Sequence, residues 1–406
     1  MRSARVIASC IVLVACTPVR TPTSAPEATP ITSAPSDPPP SDPIAAPIEP
    51  EPKPRIGPMH REAPIVFQPS PAPAELRRLA KSVRAAVSSA DGRVRVELGC
   101  KTSGRVVAGD RDAKLPVRTA TAIAIAPRGD EAAFESSGSI TVVTLGESRT
   151  RGSWPGTAPI YLDDDTLAFE DGCRWHALGR ADAAPQPIGE SCGERIAIER
   201  SAKRVWLVEH GDEVAGRRPA RTLVGLAPGS AEIRSELEPG LFAPVLSHDA
   251  TILCGTFDHE GQPLLQCRPR EHGTFERVAQ GVSGTPHFAG DARRLAFTVG
   301  AAGAVQQELF LADFETKLVR KLGKIAHHRI EFLPGGERVV AFDGARGLVF
   351  DTGVGVVVPF GEHDDDWVGL AGASADGFLA TRLRGRCSEL VEVRLPSAGT
   401  PTLGEP

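Results

Sequence analysis

Between residues 83 and 395 short apolar runs alternate with tight polar turns, and one order recurs. In IAPRGDEAAF an apolar run meets a Gly-Asp turn and is followed by Ala-Ala-Phe. The same order returns in SSADGRVRVEL, YLDDDTLAF, IERSAKRVWLV, VLSHDATILCGTF, FAGDARRLAFTV, FLPGGERVVAF and ASADGFLATRL. With Asp91, Asp130, Asp164, Ser201, Asp249, Asp291, Gly336 and Asp376 as turn markers, these eight copies are spaced by 34 to 48 residues, with a mean near 41. Apolar runs of this length bounded by Gly, Asp and Ser read as strands joined by hairpins. A third strand is visible in SITVVTL, ELFLADF and GLVFDT, each followed by a variable stretch suited to an outer strand. Four short strands in roughly 40–45 residues make one blade of a β-propeller, and about 315 residues of one repeat is too much chain for a single β-sandwich. The expected fold is therefore all-β, a propeller of seven blades, with eight as the next choice. The copy around Ser201 is the weakest, and the first blade is open to sharing strands with the last.

The 73 residues before the propeller, residues 1–73, follow a different pattern. Arg2 and Arg5 precede an apolar run from Val6 to Ala15, too short to span a bilayer that needs about 20 residues and proportioned like a secretory signal. Leu13-Val14-Ala15-Cys16 resembles the lipobox of bacterial lipoproteins. That resemblance implies cleavage after residue 15, lipidation of Cys16 and, with Thr17 rather than Asp following, sorting to the outer membrane, facing the periplasm or the cell surface. From Thr17 to Pro73 the chain carries 18 of its 36 prolines. Proline fixes φ and removes backbone donors, so this stretch reads as an extended or disordered tether. The expected organisation is a signal peptide over 1–15, a lipidated, Pro-rich linker over 16–73 and the propeller over 74–406. Leu76, Leu79, Ala80, Val83 and Ala86 recur at helical spacing after Pro73, which predicts a short helix leading into the body.

The blocks APRGDEAAFESSGSITVVTL and LPGGERVVAFDGARGLVFDT resemble the WD40-like repeats of bacterial TolB-type propellers. This chain has Arg128-Gly129-Asp130, Ala289-Gly290-Asp291 and Gly335-Gly336-Glu337 where that pattern has Asp-Gly-Lys, and it lacks the Trp-Asp ending of eukaryotic WD40 repeats. The resemblance therefore speaks for fold more than for partners.

Once Cys10 and Cys16 are set aside, six cysteines are left. Six permit 15 connectivities, and an even count in an exported chain points to disulfides. Spacing pairs Cys254 with Cys267 on adjacent strands and Cys173 with Cys192 around one outer loop. Cys100 and Cys387, at similar places in the first and last copies, are left as a clasp across the closed ring. Free buried thiols are the alternative. No CxxC pair suggests zinc, and no cofactor is expected.

A formal net charge of −5 with no standout block of Lys or Arg argues against nucleic acid. Only eight of the 46 basic residues are Lys, which reads as coding bias. The acidic clusters Asp163, Asp164, Asp165 and Asp364, Asp365, Asp366 are candidate ligands for Ca²⁺ or a glycosidase acid pair, with a solvated turn as the plainer reading. Few aromatic platforms accompany them. Gly189 to Gly193, GESCG, matches G-x-S-x-G around Ser191, but strand-like RIAIE follows where a nucleophile elbow needs a helix. His327-His328 are adjacent rather than spaced for chelation. The expectation is a lipid-anchored, non-enzymatic scaffold with an envelope protein or peptide partner. A propeller hydrolase or lyase acting on a glycan or other polymer is the alternative.

Overall fold

The computed structural model describes residues 59–396, apart from positions 118, 214–215, 272, 302–303, 326–328, 334, 344–345, 363–365 and 375–376. Cys16, the signal segment, most of the Pro-rich linker, His327, His328, Asp364 and Asp365 lie outside the described residues.

The recurring turn has a local cause. In blade I the Ser89 hydroxyl donates to Asp91 Oδ1 (2.6 Å) and accepts from the Val94 N–H (3.0 Å), while Asp91 Oδ1 also accepts from the Arg93 N–H (3.0 Å). Blade V repeats the device: Ser247 donates to Asp249 (2.6 Å) and accepts from the Ile252 N–H (2.9 Å), and Asp249 accepts from the Thr251 N–H (3.1 Å). A short acceptor side chain that captures the backbone two residues on reverses the chain in four residues, which is why Asp marks so many copies. The next residue takes a left-handed conformation, as Gly92 (φ 70°) in one copy and Ala292 (φ 59°) in another.

These turns join the inner and second strands of antiparallel four-stranded blades. Blade II is Ala122–Ile125, Glu131–Ser136, Ser139–Thr144 and Arg149–Pro155, and blades III to VII follow the same meander up to Val356–Phe360. The weakest copy forms the complete blade IV, Glu194–Glu199 to Ile233–Glu236. No helix forms among the described residues.

Two expectations are overturned by a single element, the strand Glu75–Ser88. Its residues have helical spacing, yet they form a 14-residue strand, because both backbone edges find partners that an isolated helix cannot match. Its first half pairs with Cys387–Arg394, from Glu75 opposite Arg394 to Val83 opposite Ser388, and is the outer strand of the last blade. Its second half pairs with Val94–Gly99, from Val83 opposite Gly99 to Ser88 opposite Arg95, and is the inner strand of the first. Seven hydrogen-bonded sheets thus resolve into eight four-stranded blades among the described residues, one sheet serving two blades. The ring has eight blades rather than seven, one for each copy of the repeat.

The core confirms the closure. Eight apolar clusters occupy the eight seams: Phe134 of blade II packs with Val96 and Leu98 of blade I, Trp206 of blade IV with Leu253 of blade V, and Phe378 of blade VIII with Phe360 of blade VII. Val83, Leu379 and Leu390 seal blade VIII to blade I. Each such side chain contributes about 1.5–3 kcal/mol by leaving water, so the ring is held mainly between blades.

Residues 59–73, part of the expected linker, are not free. His60–Arg61 pairs in parallel with Leu318–Ile325, the outer strand of blade VI, and Gln68–Pro69 with Val356–Phe360, the outer strand of blade VII. Met59, Ile65 and Phe67 pack against the adjoining clusters. This strap covers two open sheet edges before entering blade VIII, which is one of the ways native sheets protect their edges.

Candidate functional site

The cysteines pair Cys100 with Cys387, Cys173 with Cys192 and Cys254 with Cys267, with Cα separations of 6.1, 4.5 and 4.1 Å. Cys254 and Cys267 face each other directly across two strands of blade V. Cys173 and Cys192 bracket the third and outer strands of blade III rather than one loop. Cys100 and Cys387 stand at the second-to-third-strand connections of blades I and VIII, either side of the shared strand, where the Cys100 N–H donates to the Ser82 carbonyl (2.8 Å).

The Asp163–Asp165 turn lies on the opposite face of the ring and is occupied by its neighbours. Lys203 of blade IV pairs with Asp163 (2.6 Å), and Arg128 of blade II pairs with Asp164 (3.3 Å) and Asp165 (3.2 Å). Arg180 reaches Asp130 (2.6 Å) and Asp165 (3.6 Å). Burial works against the Asp163 charge, but the Lys203 hydrogen bond and the Asp165 N–H bring its pKa below the ordinary carboxylate value. These carboxylates lace three blades together. Asp366 is exposed at the start of the strand Asp366–Ser374. Ser191 is buried, donates to Glu209 (2.9 Å) and sits in a link between two strands, so the elbow geometry is absent there. Trp175 and Trp206 are fully buried and serve the core rather than a sugar platform.

A cavity of about 830 Å³ opens beside the Cys100–Cys387 bridge on blade I. Arg84 of the shared strand, Lys101 of the loop after Cys100, Arg105 of the strand Arg105–Ala108 and Lys114 of the strand Arg111–Lys114 line it, with Asp112 the one carboxylate. Thr102, Ser103 and Thr119 add hydroxyls. A second cavity of about 370 Å³ adjoins it, shares Thr102, Ser103 and Arg105, and adds Lys81. The third strand of blade I has only four residues, against six to eight in the others, and the loop from Cys100 to Gly104 that leads into it exposes Lys101 and Thr102 while its ends are held by the Ser82 and Val117 carbonyls.

A buried carboxylate organises this surface. Glu97, 2% exposed, accepts from Arg95 (2.7 Å) and from Arg105 (2.6 Å), and Arg105 also reaches Asp112 (2.9 Å). Partial burial works against the Arg105 charge, but the Glu97 hydrogen bond and the two carboxylates raise its pKa. Its guanidinium is fixed in place while Arg84, Lys101 and Lys114 are exposed around it. Four cations against one carboxylate leave the main cavity positive by three charges, and a concave low-dielectric wall concentrates such a field.

None of these residues stood out in the sequence. The signal was present: residues 81–114 contain eight basic and four acidic residues in a chain of net charge −5, and three of its eight lysines. The charges alternate with strand residues rather than forming a block.

No protein-family model matches the chain, and no curated protein matches it in sequence. Solved structures do match. An oligogalacturonate lyase in complex with manganese superposes with a TM-score of 0.51 at 13% identity, over 85% of this chain and 98% of that one. The body is a β-propeller. The WD40 domain of SCAP from fission yeast gives 0.49 at 9% identity over 79% and 98% of the two chains. A TolB-type protein of Agrobacterium tumefaciens gives 0.34 at 13% over 54% and 86%. At these identities the likeness is one of fold. Among the described residues no three His, Cys, Asp or Glu side chains come together as a metal site.

Proposed function

We propose that this protein is a non-enzymatic binding propeller, carried on a lipid at Cys16 and a Pro-rich tether, that captures an envelope partner at the face bearing the blade I cavity. The observation that carries this reading is the division of charge over the ring. The acidic turn at Asp163–Asp165 is consumed by ion pairs between blades, whereas the cations at the seam stand exposed around an open cavity. Carboxylates held in ion pairs are poorly placed to share a proton with a substrate, so the glycan-cleaving alternative draws no support from them.

The lipid anchor rests on the Leu-Val-Ala-Cys sequence and needs its own test. Full-length protein expressed with labelled palmitate incorporates label, and Cys16→Ala abolishes it. Partner capture is tested with full-length Cys16→Ala protein as bait in envelope extract. A specific partner retained by this bait and lost from Lys101→Glu/Lys114→Glu supports the reading. Retention that ignores those charges, or no retention at all, refutes it.

A further inference from the structure

We propose that the blade I cavity is a binding site for a multiply charged phosphate ligand. This deepens the binding reading above and rests on it only for the cavity's being in use. The size is suitable: about 830 Å³ is the volume of an ordinary small-molecule site. The lining is not ordinary. Ligand cavities are mostly apolar with a few polar groups, whereas no aromatic or large aliphatic side chain lines this one among the described residues. A peptide or a neutral sugar would find no apolar platform, so charge and hydrogen bonding must supply the affinity.

The donors are those a phosphoryl group uses. Arg105 is fixed by Glu97 at Nε and by Asp112 at Nη1, which leaves its Nη2 as a pre-positioned, charge-assisted donor for a phosphoryl oxygen. Lys101 and Lys114 are point charges on flexible stems, able to follow a second or third phosphate. Thr102, Ser103 and Thr119 provide neutral O–H donors at the same wall. A single carboxylate would leave two of the three surplus charges uncompensated, and one phosphate, at roughly −2, would still leave one, so a ligand with a second phosphate fits best. Lys81, in the adjoining cavity, extends the track for a longer anion.

Such phosphates reach this protein either as a soluble ester or polyphosphate, or as a phosphorylated lipid headgroup in the membrane that holds it. Titration calorimetry of full-length Cys16→Ala protein with sodium tripolyphosphate tests the shared chemistry. The expected result is one site per chain that weakens at least about tenfold between about 50 and about 300 mM salt, as screening shortens the reach of the exposed charges, and at least about tenfold in Lys101→Ala/Lys114→Ala, with unchanged thermal unfolding of the free variant. Flotation of the same proteins with vesicles carrying a bisphosphorylated lipid, in parallel with vesicles of a neutral lipid, separates the sources. Charge-dependent flotation assigns the headgroup, and tripolyphosphate binding without flotation assigns a soluble ligand. Absence of both, or binding that survives the double substitution, overturns the proposal. If the envelope partner is still captured in a Lys101- and Lys114-dependent way, the binding reading stands while the phosphate assignment falls.

Discussion

The Cys100–Cys387 bridge closes the ring at the point where one strand serves two blades, and its removal gives a graded expectation. In the chain-entropy description a cross-link restricts the unfolded chain more as the loop it closes lengthens. The bridge spans a sequence separation of 287 residues, against 19 for Cys173–Cys192, which gives about 5–6 kcal/mol and about 3 kcal/mol respectively. The perturbation is Cys100→Ala/Cys387→Ala, compared with Cys173→Ala/Cys192→Ala. Cys100 and Cys387 are both half-buried, so little cavity cost is added to the entropic loss. Guanidinium unfolding of the full-length proteins, followed by tryptophan fluorescence, reports on Trp175 and Trp206 in the core. The ring-closing variant should lose about 2 kcal/mol more than the local one. Equal losses, or a larger loss from Cys173→Ala/Cys192→Ala, would show that the bridge does not act by constraining the ring. Because Cys100 lines the cavity, the same variant should also weaken tripolyphosphate binding.

Three other perturbations test separate parts of the reasoning. Ala292 sits at φ 59° in the blade VI turn, so Ala292→Gly should stabilise by about 1 kcal/mol. Gly129→Ala, whose new Cβ would meet Val94 at 2.8 Å, should destabilise by at least that much, and urea midpoints that move the other way would refute the turn argument. Burial, with Arg200 nearby, lowers the pKa of His248 although Asp249 and Asp291 oppose it, and burial with Arg329 lowers that of His287. Both histidines start from an unfolded value of 6.5, so the unfolded chain takes up protons first as pH falls below it. The stability from their neutral forms is complete above that pH and is lost on acidification toward their folded values. In His248→Gln/His287→Gln the thermal midpoint should fall less between pH 7 and 5, and an unchanged slope would be evidence against the burial effect. Phe67 meets Phe350 edge-on at 5.3 Å, so Phe67→Ala should cost about 1–2 kcal/mol and expose residues 59–73 to limited proteolysis; a strap as resistant as the wild type would mean that its backbone pairing alone holds it.

Much of the fold was legible because the turn is a local device. An aspartate that captures the backbone two residues on, as at Asp91, Asp249 and Asp291, works the same way in any blade, and its recurrence helped to mark the copies. The cavity was not legible for the opposite reason. Arg84, Lys101, Arg105 and Lys114 come from two strands, a loop and the shared strand, and their charges add only once these elements are packed beside each other. The acidic run Asp163–Asp165 looked like chemistry in one dimension, but Arg128 and Lys203, which neutralise it, belong to the neighbouring blades.

By itself the sequence determined the blade: periodic apolar strands and self-closing turns depend on residues within about ten positions of each other. Only the tertiary structure decided how the ring closes. Glu75–Ser88 has helical spacing and becomes a strand because partners more than 280 residues apart, Arg95 and Cys387–Arg394, are brought to its two edges. Local propensity is worth a few tenths of a kcal/mol per residue, and two ladders of backbone hydrogen bonds with a sealed apolar seam outweigh it.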